Sequence, residues 1–129
     1  MSESPARGLV LLAHGSRDPL WRRPVQAVQT RLAEAAPQLA VRCAYLELCA
    51  PDLASAVQEL QAAGLERITV VPLFFGAGRH VREDLPRLVQ ELADANPGLS
   101  LRLAPVAGED ARLIALLAEL AAEAALLDK

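Results

Sequence analysis

The stretch Leu9-Val10-Leu11-Leu12-Ala13-His14-Gly15-Ser16-Arg17 decides the fold. Five consecutive apolar residues are too few for a typical buried helix but suit a strand covered on both faces, as in parallel sheets. His14 then stands where that strand ends, the edge of an open α/β sheet at which ligands bind. The other histidine, His80, follows a similar passage, Ile68 to Phe75 and then Gly76-Ala77-Gly78-Arg79. How these two residues relate is the central question.

Outward from that strand, helical and strand patterns alternate. Asp18 to Ala36 carries Val25, Val28 and Leu32 at helical spacing, with Pro24 tolerable only in a first turn, and Pro37 stops it. Leu39 to Leu46 reads as a second strand. Pro51 opens a second helix through Leu53, Val57 and Leu60 to a capping Gly64. Arg67 to Phe74 is the third strand. The third helix carries Leu85, Leu88, Val89 and Leu92, and Pro86 must lie near its start. Asp84 as N-cap would leave Gly76 to Glu83 as a loop; a first turn near His80 that bends at the proline is the other option. Leu99 to Ala104 and Glu109 to Leu127 supply a fourth strand and helix. Such alternation predicts a parallel sheet, and with the strand order 2-1-3-4 right-handed crossovers place helices on both faces.

The halves also resemble each other. Leu32-Ala33-Glu34-Ala35-Ala36-Pro37-Gln38-Leu39 matches Leu92-Ala93-Asp94-Ala95-Asn96-Pro97-Gly98-Leu99 at a constant spacing of 60 residues, which also pairs Val10 with Val70. A repeat with this strand order puts a pseudo-twofold axis between strands one and three. Both histidine-bearing strand ends then flank one crevice, although His14 and His80 are not themselves repeat partners.

Bulk properties narrow the ligand. The 129 residues suit one domain with a core, and 53% hydrophobic but only 3% aromatic content makes that core mostly Leu, Val and Ala. A formal charge of -3 argues against a nucleic-acid partner. No stretch approaches the ~18 apolar residues of a membrane span, and the N-terminus lacks a signal-peptide pattern, so a cytoplasmic protein is expected. Cys43 and Cys49 are not spaced as a metal pair or a disulfide framework and read as reduced thiols.

Two imidazoles at an open crevice can hold a divalent metal while leaving positions for a substrate. Glu47, just past the second strand, can reach the same edge as ligand or proton acceptor. Glu83, Asp84 and Glu109 read as helix caps. Of 13 cationic residues all but Lys129 are arginine, and Arg17, Arg22, Arg23, Arg79, Arg82 and Arg87 lie close in sequence to the histidines. Such a rim on an acidic protein suggests a carboxylate-bearing ligand. Gly76-Ala77-Gly78 would let backbone approach a flat ligand, and neither a GxGxxG turn nor a Walker motif occurs.

The phrases Leu12-Ala13-His14-Gly15-Ser16-Arg17, Tyr45-Leu46-Glu47 followed by Pro51, and Pro72-Leu73-Phe74-Phe75-Gly76-Ala77-Gly78-Arg79-His80-Val81-Arg82-Glu83-Asp84-Leu85-Pro86 together resemble the small sirohydrochlorin chelatases of the CbiX type. The resemblance implies one flavodoxin-like chelatase domain over 1–129, with 1–7 flexible, that inserts Co²⁺ or Fe²⁺, or Ni²⁺, into sirohydrochlorin for cobalamin or siroheme synthesis. It implies His14 and His80 as metal-binding and catalytic residues and Glu47 as a further participant. Ser16, Arg17, Gly76, Gly78 and Arg79 would contact the substrate, the metal being substrate too and no organic cofactor being needed. Short members of this family pair as homodimers. The residues alone leave other readings open: a phosphocarrier of the EIIA mannose type phosphorylated on His14, a non-catalytic metal or tetrapyrrole carrier, and a degenerate partner subunit. The Leu- and Ala-rich C-terminal helix, Leu113 to Leu127, is either an interface or a face packed on the sheet.

Overall fold

The computed structural model describes residues 7–127. Its four strands are β1 (Arg7–Ala13), β2 (Leu39–Tyr45), β3 (Arg67–Pro72) and β4 (Ser100–Leu103). They form one parallel sheet in the expected order, β2-β1-β3-β4. Of the segment expected to be flexible, residues 1–6 lie outside the described residues, and Arg7 opens β1 opposite Leu39.

The helices are α1 (Arg23–Ala35), α2 (Leu53–Ala62), α3 (Arg79–Ala95) and α4 (Ala111–Ala125). On one face of the sheet Val10, Leu12, Ile68 and Val70 are covered by α2 and α3 through Leu53, Val57, Leu60, Leu85 and Val89. On the other, Leu11, Ala13 and Val41 meet Val25 and Leu32 of α1. Strand side chains alternate between faces, so β1, buried on both, has to read as an unbroken apolar run.

Two helix starts differ from the sequence expectation. A 3-10 turn, Pro19–Arg22, capped by the Asp18 side chain, precedes α1 and leaves Pro24 in the first α turn, where its missing N–H costs nothing. A second, Ala107–Glu109, precedes α4, whose N-cap is Asp110 and not Glu109. The third helix, α3, follows the second of the two options read from the sequence: Gly78 is its N-cap, its first turn runs from Arg79 through His80, and Pro86 lies inside it. Asp84 is therefore not its N-cap. A proline inside a helix costs about 3 kcal/mol, and burial of the Leu85, Leu88, Val89 and Leu92 stripe beside it offsets that cost.

The repeat is visible as register. Gly8, Val10 and Leu12 of β1 face Ile68, Val70 and Pro72 of β3, the spacing of 60 found in the sequence. Leu32 and Leu92 then pack on opposite sheet faces, as an axis between these strands requires. The outer strands keep the symmetry less strictly: Arg7 faces Leu39, whereas Arg67 faces Ser100 and not Leu99.

Candidate functional site

The carboxyl edge of the sheet continues the ladder past the strand ends. The Leu73 N–H donates to the Leu12 carbonyl (2.7 Å), the Leu46 N–H to that of Ala13 (3.0 Å) and the Glu47 N–H to that of His14 (3.0 Å). His14 and Glu47 are thus backbone neighbours, fixed by hydrogen bonds. Gly15 makes the arrangement possible. Its φ is +108°, and a Cβ there would lie 1.8 Å from the Glu47 carbonyl oxygen.

The His14 ring leans on Phe74, with centroids 4.5 Å apart and planes tilted by 31°. Phe74 is 2% exposed, so it is a fixed wall. Its carbonyl accepts a hydrogen bond from the Gly108 N–H (2.9 Å), and a Cβ on Gly108 would fall 1.8 Å from the Phe75 oxygen. The 3-10 turn after β4 therefore braces the support of a histidine that follows β1. Phe74 is also the repeat partner of His14, at the spacing of 60.

His80 sits in the first turn of α3. His80, Val81, Asp84, Leu85 and Leu88 form one stripe of that helix, because positions four residues apart stack on one face. Opposite stand His14, Leu46 and Glu47, and the two walls enclose an open cavity of about 410 Å³. Leu46, Val81, Leu85 and Leu88 give it an apolar floor continuous with the core. The structure thus brings His14, Glu47 and His80 into one place, all three exposed to solvent.

Asp84, which reads from the sequence as a cap, stands one turn beyond His80 on the same face because α3 begins at Arg79. Glu83 and Glu109 are not caps either: Glu83 pairs with Arg79 across one turn (3.2 Å). Ser16, Arg17, Gly76, Gly78 and Arg79 are not among the residues lining this cavity and flank it along the chain. The Ser16 Oγ accepts from the Asp18 N–H (3.0 Å), and Arg17 and Arg79 are exposed. Added Cβ atoms on Gly76 and Gly78 would meet nothing within 4 Å, so open space surrounds that loop.

Among the described residues, no three His, Cys, Asp or Glu side chains are close enough together to hold a metal. Both cysteines are free, and burial pushes the Cys43 thiol up from its ordinary pKa, the reverse of what a thiolate ligand needs. Cys43 lies with α1 on the opposite face from the cavity floor, its thiol donating to the Gln29 Oε1 (3.3 Å). Burial is also the main reason that the neighbouring Tyr45 phenol is raised, with Cys43 and Cys49 adding to it.

The CbiX family profile matches residues 8–124. A structure of a cobalamin (vitamin B12) biosynthesis CbiX protein from Marinobacter aquaeolei superposes with a TM-score of 0.77 at 36% identity, covering 91% of this chain and 95% of that one. The sirohydrochlorin cobaltochelatase of Sulfolobus acidocaldarius is 31% identical over 117 residues, 91% of each protein. That of Methanopyrus kandleri is 33% identical over 81 residues, 63% of this chain and 57% of the relative. The cobalt complex of the sirohydrochlorin chelatase SirB from Bacillus subtilis shares the fold at a TM-score of 0.75 and 20% identity, and the match spans 92% of this chain but 50% of SirB. Strand order, the two histidine motifs and these matches agree: the chain belongs to the CbiX family.

Proposed function

We propose that this protein inserts a divalent metal, Co²⁺ or Fe²⁺, into sirohydrochlorin, in cobalamin or siroheme synthesis. The observation that carries the proposal is the cavity in which His14 and Glu47, from the ends of β1 and β2, face His80 of α3. Insertion removes two ring N–H protons and transfers the ion from protein ligands to ring nitrogens. A site with few ligands suits that task, because a closed tetrahedral set would retain its metal. His14 and His80 bind the incoming ion and then take up protons, with Glu47 assisting; positioned bases of this kind contribute ~10²–10⁴ in rate. Phe74 keeps the His14 ring from rotating away.

Sirohydrochlorin is flat and carries carboxylates around its rim. Ser16, Arg17 and Arg79 flank the cavity and would hold that rim, and the open space beside Gly76 and Gly78 admits the macrocycle. A phosphocarrier would use His14 alone and give Glu47 and His80, gathered with it, no task. Absorbance assays with sirohydrochlorin and Co²⁺, Fe²⁺ or Ni²⁺ offered separately test the proposal. Turnover beyond one equivalent with Co²⁺ or Fe²⁺ is expected; stoichiometric binding without turnover sinks the enzymatic reading in favour of a carrier. A cytoplasmic location fits, since no described helix is long and apolar enough to cross a membrane.

We also infer a homodimer. None of the residues of α4 is buried, although Ile114, Leu116, Leu117 and Leu120 lie along it. On the sheet face that α1 covers over β1 and β2, Val71 and Leu73 line a cleft of about 880 Å³ that runs to the root of α4. The fold thus holds both an uncovered apolar helix and an uncovered apolar sheet flank, and a second copy supplies a partner for each.

A further inference from the structure

Asp84 has no structural task that accounts for it. It does not cap α3, whose N-cap is Gly78, with no side-chain cap bond. Its ion pair with Arg87, at 3.5 Å between groups 63% and 67% exposed, is of the surface kind that contributes little. Yet it lines the cavity of His14, Glu47 and His80, which it enters from the same helix stripe as His80. A substrate edged with carboxylates would be repelled by it. A cation would not.

We propose that His80 and Asp84 form a two-point landing site for the divalent metal on the α3 wall. Residues i and i+4 of a helix have Cβ atoms about 5–6 Å apart, a span that an imidazole nitrogen and a carboxylate oxygen, each ~2.0–2.2 Å from the ion, can bridge. One imidazole and one carboxylate form a weak chelate, open to His14 and Glu47 on the opposite wall. The hydrated ion is captured on α3, sheds part of its water, and passes across the cavity toward the strand-end residues and the ring. The mixed nitrogen and oxygen set accepts cobalt, iron and nickel alike and does not itself select among them. The rigid helix fixes the spacing, and the cavity floor beside it, Val81, Leu85 and Leu88, is apolar, so the exposed Arg87 is the partner that the metal displaces.

This inference rests on the metal-insertion reading, and its test separates the two. Co²⁺ binding is titrated by calorimetry without tetrapyrrole in the wild type, in Asp84→Asn, in Asp84→His and in Glu91→Gln as a control elsewhere on α3. Insertion kinetics follow with each substrate varied. Asp84→Asn is expected to weaken Co²⁺ binding and raise the KM for Co²⁺ about tenfold, with the KM for sirohydrochlorin within twofold. Asp84→His, which keeps a ligand at the i+4 position, is expected to restore Co²⁺ binding, a rescue that no purely structural role predicts. Unchanged Co²⁺ affinity in Asp84→Asn, or failure of Asp84→His to recover it, overturns the landing site and leaves insertion standing. Normal Co²⁺ binding through Asp84 in a wild-type protein that inserts no metal overturns the insertion reading instead.

Discussion

The two halves of the molecule share a chain path and divide the work unequally. In the first half β1 ends in His14, and α2 presses Leu53, Ala56, Val57 and Leu60 into the core. In the second, the position equivalent to His14 is Phe74, and α4 buries nothing. One half offers an imidazole where the other offers a wall for it. Likewise, one closing helix is a core element, while the other is as rich in Leu and Ala and stays outside. Apolar content therefore does not decide burial; α2 is covered because the turn before it returns the chain over β1 and β2, whereas the turn at Ala107–Glu109 leads α4 off the sheet.

The sharpest way to break the comparison is chemical. Replacing either His14 or His80 by alanine should lower metal insertion at least ~10²-fold, the low end of what a positioned base contributes, while Phe74→Leu should lower it less by loosening the His14 ring. Absorbance-monitored insertion checks this, and near-wild-type rates for both histidine variants would falsify the proposed site. Next in size come the closing helices. Leu60→Ala in α2 should cost about 2–5 kcal/mol in denaturant unfolding, whereas Leu117→Glu with Leu120→Glu in α4 should leave the protomer folded and shift its mass by light scattering from dimer to monomer. A dimeric double variant would mean that α4 is not the interface.

Glycines sharpen the contrast at a smaller scale. Gly15→Ala forces a side chain onto a φ of +108° and against the Glu47 carbonyl, so a loss of about 1–3 kcal/mol together with reduced insertion is expected. Gly76→Ala, which meets nothing, should stay within about 0.5 kcal/mol. The smallest effects belong to the caps. Asp52 accepts the Ser55 N–H (2.8 Å), which holds its carboxyl below the usual range, and Asp52→Ala should cost about 1 kcal/mol. Because its folded pKa is lowered, that contribution is complete above the ordinary carboxylate pKa of about 3.9 and fades as pH falls through the folded value. Asp110, drawn down to about 2 chiefly by Arg112, caps a helix outside the core. Asp110→Ala should therefore fray α4 by circular dichroism without moving the main unfolding transition.

Much of this was legible in the residues. The four apolar strand patterns alternating with helical ones were enough for a parallel sheet, because each is a local signal; the order 2-1-3-4 was an expectation that the register of β1 against β3 then matched. His14, Glu47 and His80 were legible because strand ends converge on one edge. Asp84 was not, since its place beside His80 depends on where α3 begins, and Pro86 leaves two starts open that only tertiary burial separates. The role of Gly108 behind Phe74 was equally hidden, as a bond between two loops leaves no periodicity. The fate of α4 was undecided for a related reason: a Leu- and Ala-rich helix reads the same whether its cover is its own sheet or another molecule.

The contact between His14 and Phe74 also makes the site readable in solution. The chain has two histidines, and only one of them lies against an aromatic face among the described residues. Ring current from Phe74 should displace the imidazole carbon-bound protons of His14 from those of His80, giving two separate proton resonances from opposite walls of one cavity. A diamagnetic ion such as Zn²⁺, added stepwise, can then be followed at each wall independently, which shows the order in which the walls engage the metal.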